Sequence, residues 1–576
     1  MTQYEDFLNI FKKFAFFHLI RFIIMYFKKQ TFAVALITLV SACTNQSVNL
    51  DSSLNSITAD DLRKEISVLA SDDFRGRFPA TEGETKTINY LAGQFTDLGL
   101  KPANNGSFFQ EVPLVKITPE GSMKLEINGG KNNFSLEYKD DFIVNTSMIT
   151  DEVKIDKSEL VFVGYGINAP EYNWNDYAGI DVKGKIVLLL VNDPGYATGD
   201  TSLFDGNAMT YYGRWTYKYE EAARQGAAGA IVIHETGAAG YPWSVVQNSF
   251  SGSQFYLDEN NQNEGRLQLR GWVTTDAARK IFETAGLDYD KILLESTTRG
   301  FKSFNMKLNA SVQFRNLIVH TKSNNVAALW PGSDHADEYI VYTAHWDHLG
   351  VNPSIKGDSI FNGAVDNATG TAALLEIAKA FTMLPEKQDR SILFLAVTAE
   401  EQGLLGSQYY VEHPIFPLDK TVCAINMDAL NIFGKTNDMT IVGYGYSELD
   451  EYVENVLRKY GRYARPDPEP EKGGYFRSDH FSFARAGVPA LDLSEGVDNI
   501  QHGMEWDIAQ KDKWTMENYH KPSDNYEPDK WDFEGMIADI KVYFEVGYDL
   551  SISRAFPNWN PGNPFKPLRD KMMSGK

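Results

Sequence analysis

The stretch Tyr339-Ile-Val-Tyr-Thr-Ala-His345-Trp-Asp347 decides the fold of this chain. Its first six residues are β-branched, aromatic or small, and acidic residues precede them, so the run predicts a short buried strand. His345 and Asp347 follow at the carboxyl end of that strand, where ligands bind in open α/β sheets. The pair suits a metal ligand and the carboxylate that fixes its tautomer. Considered alone, the pair is also compatible with ordinary polar residues of a loop.

Strands and helices alternate from about residue 316 onward. Apolar runs and helical periodicity predict strands at 340–344, 392–397, 422–427, 440–442 and 490–493, and helices at 370–384, 447–460 and 533–550. Such alternation indicates an α/β fold with a mainly parallel central sheet that is flanked by helices.

The composition bounds the classes of function. The chain has 576 residues, 43% of them hydrophobic, which predicts a globular protein of two or three domains. Its formal net charge of -22 excludes nucleic acid and anionic membrane surfaces as expected partners, because both need a basic footprint.

Residues 1–42 have the pattern of a signal peptide. Lys28 and Lys29 precede the apolar run 31–40, and small residues lead to Cys43. Because Val40-Ser-Ala-Cys43 resembles a bacterial lipobox, we expect an exported lipoprotein, anchored to a membrane through a lipid on Cys43 and facing the periplasm or the cell exterior. The alternative is an N-terminal anchor helix that stays attached.

The only other cysteine is Cys423, within an apolar run. This setting predicts a small buried hydrophobe, with neither a disulfide partner nor a nucleophilic role.

Further polar residues follow predicted strands or precede predicted helices. They are Asp366 in Gly363-Ala-Val-Asp-Asn-Ala-Thr-Gly370, the pair Glu400-Glu401, Asp428, and His520 in Tyr519-His-Lys-Pro-Ser-Asp524. Each has a simpler explanation when taken alone. Asp366 is compatible with a helix N-cap, and the pair of glutamates with a solvated edge.

Together, these residues are expected at one edge of the sheet. Two imidazoles and three carboxylates suit two divalent ions, and mixed nitrogen and oxygen donors favour zinc. One carboxylate is then left over beside a ligand, which suits a general base.

This ordered set resembles the di-zinc exopeptidase family that includes bacterial leucyl aminopeptidases, glutamate carboxypeptidase and transferrin receptor. The resemblance implies that His345 and Asp428 bind one zinc, that Glu401 and His520 bind the other, and that Asp366 bridges them. It further implies that Asp347 orients His345 and that Glu400 is the catalytic acid/base. A cis peptide bond after Asp366 is also expected from the family.

The resemblance divides the chain into domains. Segments within 151–300 resemble the protease-associated domain, a β-rich module inserted into secreted peptidases. Residues 43–150 then form the N-terminal part of the peptidase region, and 301–576 form the zinc peptidase domain.

A dinucleotide-binding loop at Gly164-Tyr-Gly166 is disfavoured because the third glycine and a following helix are missing.

Two more residues match family positions. Arg477 matches a substrate-holding arginine of some aminopeptidases, although a surface ion pair explains it equally well. Tyr519 would donate its hydroxyl to the developing oxyanion. His480 lies near the site in sequence, but His520 matches the second-zinc histidine better because a tyrosine precedes it.

The function predicted is that of a zinc-dependent aminopeptidase acting on peptides. Three alternatives remain: a carboxypeptidase or dipeptidase on the same di-zinc site, a non-catalytic binding protein of the same fold, and a single-zinc acyl-transfer enzyme similar to the glutaminyl cyclases. The oligomeric state is left open.

Overall fold

The computed structural model describes residues 49–259 and 263–574. The predicted signal peptide and Cys43 lie outside the described residues, so both stay predictions. Within the described part of the chain, no helix is both long enough and apolar enough to cross a membrane.

The helices and strands fall into three consecutive stretches of chain. The first stretch contains α1 Asp51–Ser56, α2 Ala59–Leu69, α3 Glu82–Asp97, β1 Lys101–Pro102, β2 Phe109–Glu120, β3 Lys124–Asn128, β4 Phe134–Glu137 and β5 Phe142–Asn145. The second contains β6 Glu152–Phe162, β7 Asn168–Ala169, β8 Trp174–Asn175, β9 Ile186–Leu190, α4 Pro194–Thr198, α5 Trp215–Arg224, β10 Gly229–His234, α6 Thr236–Ala239, α7 Trp243–Phe250, β11 Gln254–Leu257, β12 Leu269–Thr274, α8 Thr275–Thr284 and α9 Tyr289–Ser296. The third contains β13 Phe304–Trp330, β14 His335–His345, β15 Gly350–Val351, β16 Ile360–Phe361, α10 Gly370–Thr382, β17 Arg390–Val397, α11 Leu405–Glu412, β18 Thr421–Asn426, β19 Asp438–Val442, α12 Leu449–Lys459, β20 Tyr463–Pro466, α13 His480–Arg485, β21 Ala490–Glu495, α14 Met504–Glu517, α15 Phe533–Ile552 and α16 Lys566–Met573.

The third stretch forms the central sheet, in the strand order β13, β17, β14, β18, β21, β19 and β20. The four strands β17, β14, β18 and β21 are parallel, whereas β13 and β19 pair antiparallel at either side of them. This arrangement confirms the predicted α/β fold with a mainly parallel central sheet. The carboxyl ends of the four parallel strands therefore meet at one edge.

Helices cover both faces of this sheet, because successive side chains of a strand point to opposite faces. Tyr342 of β14 contacts Phe381 of α10, which in turn packs on Phe544 of α15. Its neighbour Val341 belongs to the core cluster on the other side, together with Phe483 of α13. Cys423 is buried in β18, as predicted, and burial raises the pKa of its thiol to about 12.

Residues 151–300 build a second sheet. Strands β6, β9, β10 and β12 are parallel in that order, and β5 adds an antiparallel strand beside β12. The long strand β13 pairs with β6 near its start and with β17 near its end, so the two sheets share one strand. The identity of this segment as a protease-associated domain and the domain boundaries stay predictions.

A buried arginine ties the N-terminal helices to the central sheet. The Arg77 guanidinium donates to the backbone oxygens of Leu69, Trp346, Asn362 and Gly363 at 2.5–2.8 Å. Trp346 lies in the loop that leaves β14, and Gly363 lies in the loop that enters α10. Burial lowers the pKa of Arg77 to about 10, so this side chain is charged at neutral pH.

We expect Arg77→Met to lower the free energy of unfolding by about 3–5 kcal/mol, because the substitution leaves four buried carbonyl groups without their donor. Urea unfolding followed by circular dichroism measures this change. Arg458→Met is the matched control: this side chain is 61% exposed and pairs only along its own helix, so a change below about 1 kcal/mol is expected. Equal losses in the two variants would contradict the assignment.

Candidate metal centre

Three neighbouring strands deliver acidic or histidine side chains to the same edge of the sheet. His345 is the last residue of β14 and is paired with Val397, the last residue of β17. Glu400 and Glu401 follow β17 in a short 3-10 turn, and Asp428 follows β18. The parallel register thus brings together residues that are far apart in sequence.

Asp366 lies between two groups of possible ligands. Its Oδ1 is 3.3 Å from His345 Nε2, which is also 3.2 Å from Asp428 Oδ1. Its Oδ2 is 3.2 Å from His520 Nε2, which is also 3.1 Å from Glu401 Oε2. All five residues that the sequence predicted as metal ligands therefore meet here, and the two oxygens of one carboxylate face different groups.

The donor set fits divalent metal ions. Two nitrogen or oxygen ligands of a tetrahedral zinc, each about 2.1 Å from the ion, are about 3.4 Å apart, close to the spacings observed here. His345 and Asp366 are buried, and Oε1 of Glu401 is buried without a hydrogen bond. Burial raises the pKa of Glu401 to about 7, with the charge of Asp366 adding to the increase, so an added cation would stabilise its charged form.

The loop that carries Asp366 is held by polar contacts on both sides. The carboxylate of Asp524 accepts the backbone N–H groups of Val365 and Asp366 at 3.0 and 3.1 Å. The peptide bond between Asp366 and Asn367 is cis, which confirms the expectation from the family. Gly363 adopts a φ of 57°, and a Cβ there would lie 2.2 Å from the Asp366 carbonyl oxygen, so the loop requires glycine at this position.

Glu400 lies beside the ligand groups. Its Oε2 is 3.9 Å from His345 Nε2, and its backbone N–H donates to Asp347 Oδ1 at 3.0 Å. Burial raises the pKa of Glu400 well above its usual value, despite the opposing charge of His345. This environment favours a carboxyl group that takes up and returns a proton.

Asp347 is fully buried behind His345. Its Oδ1 lies 3.9 Å from His345 Nδ1, whereas its backbone oxygen is closer, at 3.2 Å. Both oxygens lie on the side of the ring that faces away from Asp366, so either contact favours Nε2 as the metal-binding nitrogen. Burial also raises the pKa of the Asp347 carboxyl to about 7.

A cavity of about 320 Å³ opens onto the centre. Glu400, Asp428, Arg477 and Tyr519 are among the residues that line it. The Tyr519 ring packs against that of His520, with 3.9 Å between centroids, and burial raises the pKa of its phenol well above 10, so the hydroxyl is protonated at neutral pH. Arg477 donates to the backbone oxygen of Ala239 in α6 at 2.7 Å, which identifies it as a contact to the second sheet's segment and not as a surface ion pair.

Two further histidines lie near the centre. His348, which the sequence analysis did not single out, is fully buried, and its Nδ1 lies 2.6 Å from Glu401 Oε1, although neither atom makes a hydrogen bond of acceptable geometry. With Asp366 and Glu401 it forms a second possible ligand set. The sequence signal for His348 is its position directly after Asp347, in the loop that leaves β14. His480 is also buried, but its Nε2 contacts the backbone oxygen of Tyr475 at 2.7 Å, away from both ligand groups.

Part of this chain is similar in sequence to known peptidases. Residues 325–544 match the model of peptidase family M28. Leupeptin-inactivating enzyme 1 of Streptomyces exfoliatus is 30% identical over 191 residues, which cover 33% of this chain and 39% of that protein. Aminopeptidase YwaD of Bacillus subtilis (strain 168) is 26% identical over 229 residues, covering 38% of this chain and 43% of that protein.

A solved structure shares the fold. The aminopeptidase from Aneurinibacillus sp. strain AM-1 superposes with a TM-score of 0.51 at 19% identity, and the match covers 88% of this chain and 97% of that one. The alignments to the two curated relatives, in contrast, span only about two fifths of their lengths. The candidate ligands from His345 to His520 all lie within the range 325–544, and this part of the chain matches peptidase family M28.

Proposed function

We propose that this protein is a di-zinc aminopeptidase that hydrolyses N-terminal residues from peptides. The observation that carries the proposal is the position of Asp366, whose two oxygens face a His345 and Asp428 group on one side and a His520 and Glu401 group on the other. A carboxylate shared in this way suits a pair of divalent ions, one held by each group.

Zinc bound here would lower the pKa of a water to about 7 and polarise the scissile carbonyl. Glu400 would accept a proton from the attacking water as the new C–O bond forms to the carbonyl carbon, and would return that proton to the leaving amine as the C–N bond breaks. Tyr519 lines the same cavity, and its hydroxyl would donate to the carbonyl oxygen as negative charge develops on that oxygen. Arg477 lines the cavity on the substrate side.

The charges of the cavity favour a free amine over a free carboxylate. Its two lysines are already paired: Lys472 with Glu469 at 2.6 Å, and Lys511 with the Gly496 backbone oxygen at 2.7 Å and with Glu495 at 3.3 Å. Other carboxylates of the lining, beyond the ligand groups, can then receive the α-ammonium group of a peptide. The B. subtilis relative is itself named an aminopeptidase, which supports this choice.

We expect zinc-loaded protein to hydrolyse unblocked aminoacyl-nitroanilides, and Glu400→Gln to lower kcat by about 10²–10⁴-fold because the amide cannot accept the proton. Release of nitroaniline measures the rate across a panel of side chains. Glu412→Gln, which makes the same chemical change on an exposed helix end, should keep wild-type activity.

Substrates with an acetylated α-amino group test the specificity. N-acetylated nitroanilides should not be hydrolysed, because the α-ammonium group is lost. If the protein removes C-terminal residues from N-acetylated peptides and does not hydrolyse the nitroanilides, the proposed function changes from aminopeptidase to carboxypeptidase. Full activity in Glu400→Gln would remove Glu400 from its role as general base, and no hydrolysis of any substrate would leave a non-catalytic binding protein.

We expect metal-free protein to bind two zinc ions, and the variants to separate the two positions. Asp366→Asn should weaken both ions, since an amide replaces the shared carboxylate, whereas Asp428→Asn should weaken only one. Isothermal titration with zinc and metal analysis after dialysis give the stoichiometry. His413→Ala, at an exposed histidine, serves as the control. A single bound ion in the wild type would contradict the di-zinc proposal and favour a single-zinc enzyme.

We further infer that the protein is exported and anchored by lipid on Cys43. The support is the sequence pattern of residues 28–43. When the full chain is expressed in a bacterium, mass spectrometry of the N-terminal peptide should find a mature chain that begins at lipid-modified Cys43. Cys43→Ser should release the protein from the membrane fraction. An unprocessed N-terminus in the wild type would instead favour a retained anchor helix.

A further inference from the structure

The segment 151–300 contacts the candidate metal centre directly, through helix α7. The Ser249 hydroxyl lies 2.7 Å from Nδ1 of His520, and both residues are buried. In the preceding residue, the Asn248 side-chain amide donates to the backbone oxygen of His520 at 2.8 Å. Two successive residues of one helix therefore hold both the ring and the backbone of one candidate ligand.

The orientation of the His520 ring determines the role of its contact with Ser249. His520 Nε2 faces Asp366 Oδ2 and Glu401 Oε2 at 3.2 and 3.1 Å, so Nε2 is the nitrogen directed at the metal position. A neutral imidazole that ligates through Nε2 carries its proton on Nδ1. That N–H then donates to Ser249 Oγ, and such a hydrogen bond fixes both the tautomer and the rotation of the ring.

The backbone contact acts on a strained residue. His520 has a φ of 54°, a left-handed conformation that is uncommon outside glycine. Conformations of this kind are strained and persist where surrounding contacts hold them. The Asn248 amide supplies one such contact at the carbonyl of the strained residue itself.

Helix α7 is in turn fixed by the core of its own segment. Val245 and Val246 are buried in the cluster that contains Trp272 of β12. Tyr519, the neighbour of His520, packs against the same cluster. The segment 151–300 therefore contributes directly to the position of His520.

We propose that Ser249 is a positioning residue for the metal ligand His520, so that the segment 151–300 helps to build the metal centre. The inference rests on the proposed function only in that His520 binds a metal ion. It assigns no catalytic step to Ser249, which acts through the histidine.

We expect Ser249→Ala to weaken one zinc ion by about 10–100-fold and to leave the other unchanged, because Nδ1 loses its acceptor in a buried place. Metal-free protein titrated with zinc in competition with a chromophoric chelator gives both dissociation constants. Ser249→Thr keeps the hydroxyl and should restore most of the affinity. Ser251→Ala, which removes a hydroxyl bonded only to Gln247 at the end of the same helix, should bind zinc like the wild type.

The outcomes separate this proposal from the proposed function. If His520→Ala binds both ions normally, the assignment of His520 as a ligand fails. If His520→Ala loses one ion while Ser249→Ala binds like the wild type, only the positioning role is overturned. The positioning role is also overturned if Ser249→Ala lowers both the zinc affinity and the melting temperature of the metal-free protein, and if Ser249→Thr restores neither. That pattern would indicate a loss of packing.

A measurement on the unaltered sequence covers the case in which Ser249→Ala does not fold. In cobalt(II)-loaded wild type, the Nδ1 proton of a bound histidine gives a strongly shifted, exchangeable proton resonance. Protection of the His520 resonance from exchange with D₂O, identified by its loss in His520→Ala, is expected for the hydrogen bond to Ser249. Rapid exchange, or a ring that ligates through Nδ1, would overturn the proposal.

Discussion

The candidate metal centre holds several carboxylates close together and away from water. Burial raises the pKa of Glu401 and of Asp347 to about 7, so the protein alone does not fully stabilise their charged forms. The buried Arg77 guanidinium supplies a positive charge near the site. Burial lowers the pKa of Arg77, and the negative charge of Asp366 opposes that lowering. Arg77 donates its hydrogen bonds to backbone oxygens of the loops and not to the carboxylates of the candidate ligands. A cation on the cavity side, which a divalent metal ion provides, then completes the charge balance.

The backbone turns sharply next to several of the candidate ligands. Gly363, Ala399 and Ala429 have φ values of 57°, 53° and 54°, and His520 itself has one of 54°. Three of these four are not glycine, so the chain accepts strain next to Glu400, next to Asp428 and at His520. Hydrogen bonds from outside the loops oppose that strain, among them the one from Asn248 to His520. Rigid strands thus supply the approximate positions, and strained turns supply the final directions of the side chains.

The sequence predicts the parts of this arrangement that are local. The apolar run of β14 and the position of Asp366 before α10 follow from strand and helix patterns, and so do the glutamates after β17. Helix α14 escaped prediction because only Asp507 is buried in it, so it has no apolar stripe. Arg77 and Ser249 carry no signal of their own, because their partners Gly363 and His520 lie 286 and 271 residues away in the chain. Only the folded structure brings such pairs together.

The two halves of the centre are built in different ways, and this difference has a physical consequence. His345 is the last residue of β14, and Asp428 follows the end of the neighbouring strand β18 by two residues. Opening these paired strands would break several backbone hydrogen bonds at once. His520 lies outside any helix or strand, in the connection between α14 and α15, and it is held by side chains of α7. The same segment 151–300 also supplies the Ala239 carbonyl that holds Arg477 in the cavity wall. A displacement of this segment would therefore remove the contacts of Arg477 in the cavity wall and those of the candidate ligand His520 together. Access to the cavity and the geometry of the His520 group would be coupled for that reason, whereas His345 itself belongs to a strand of the central sheet.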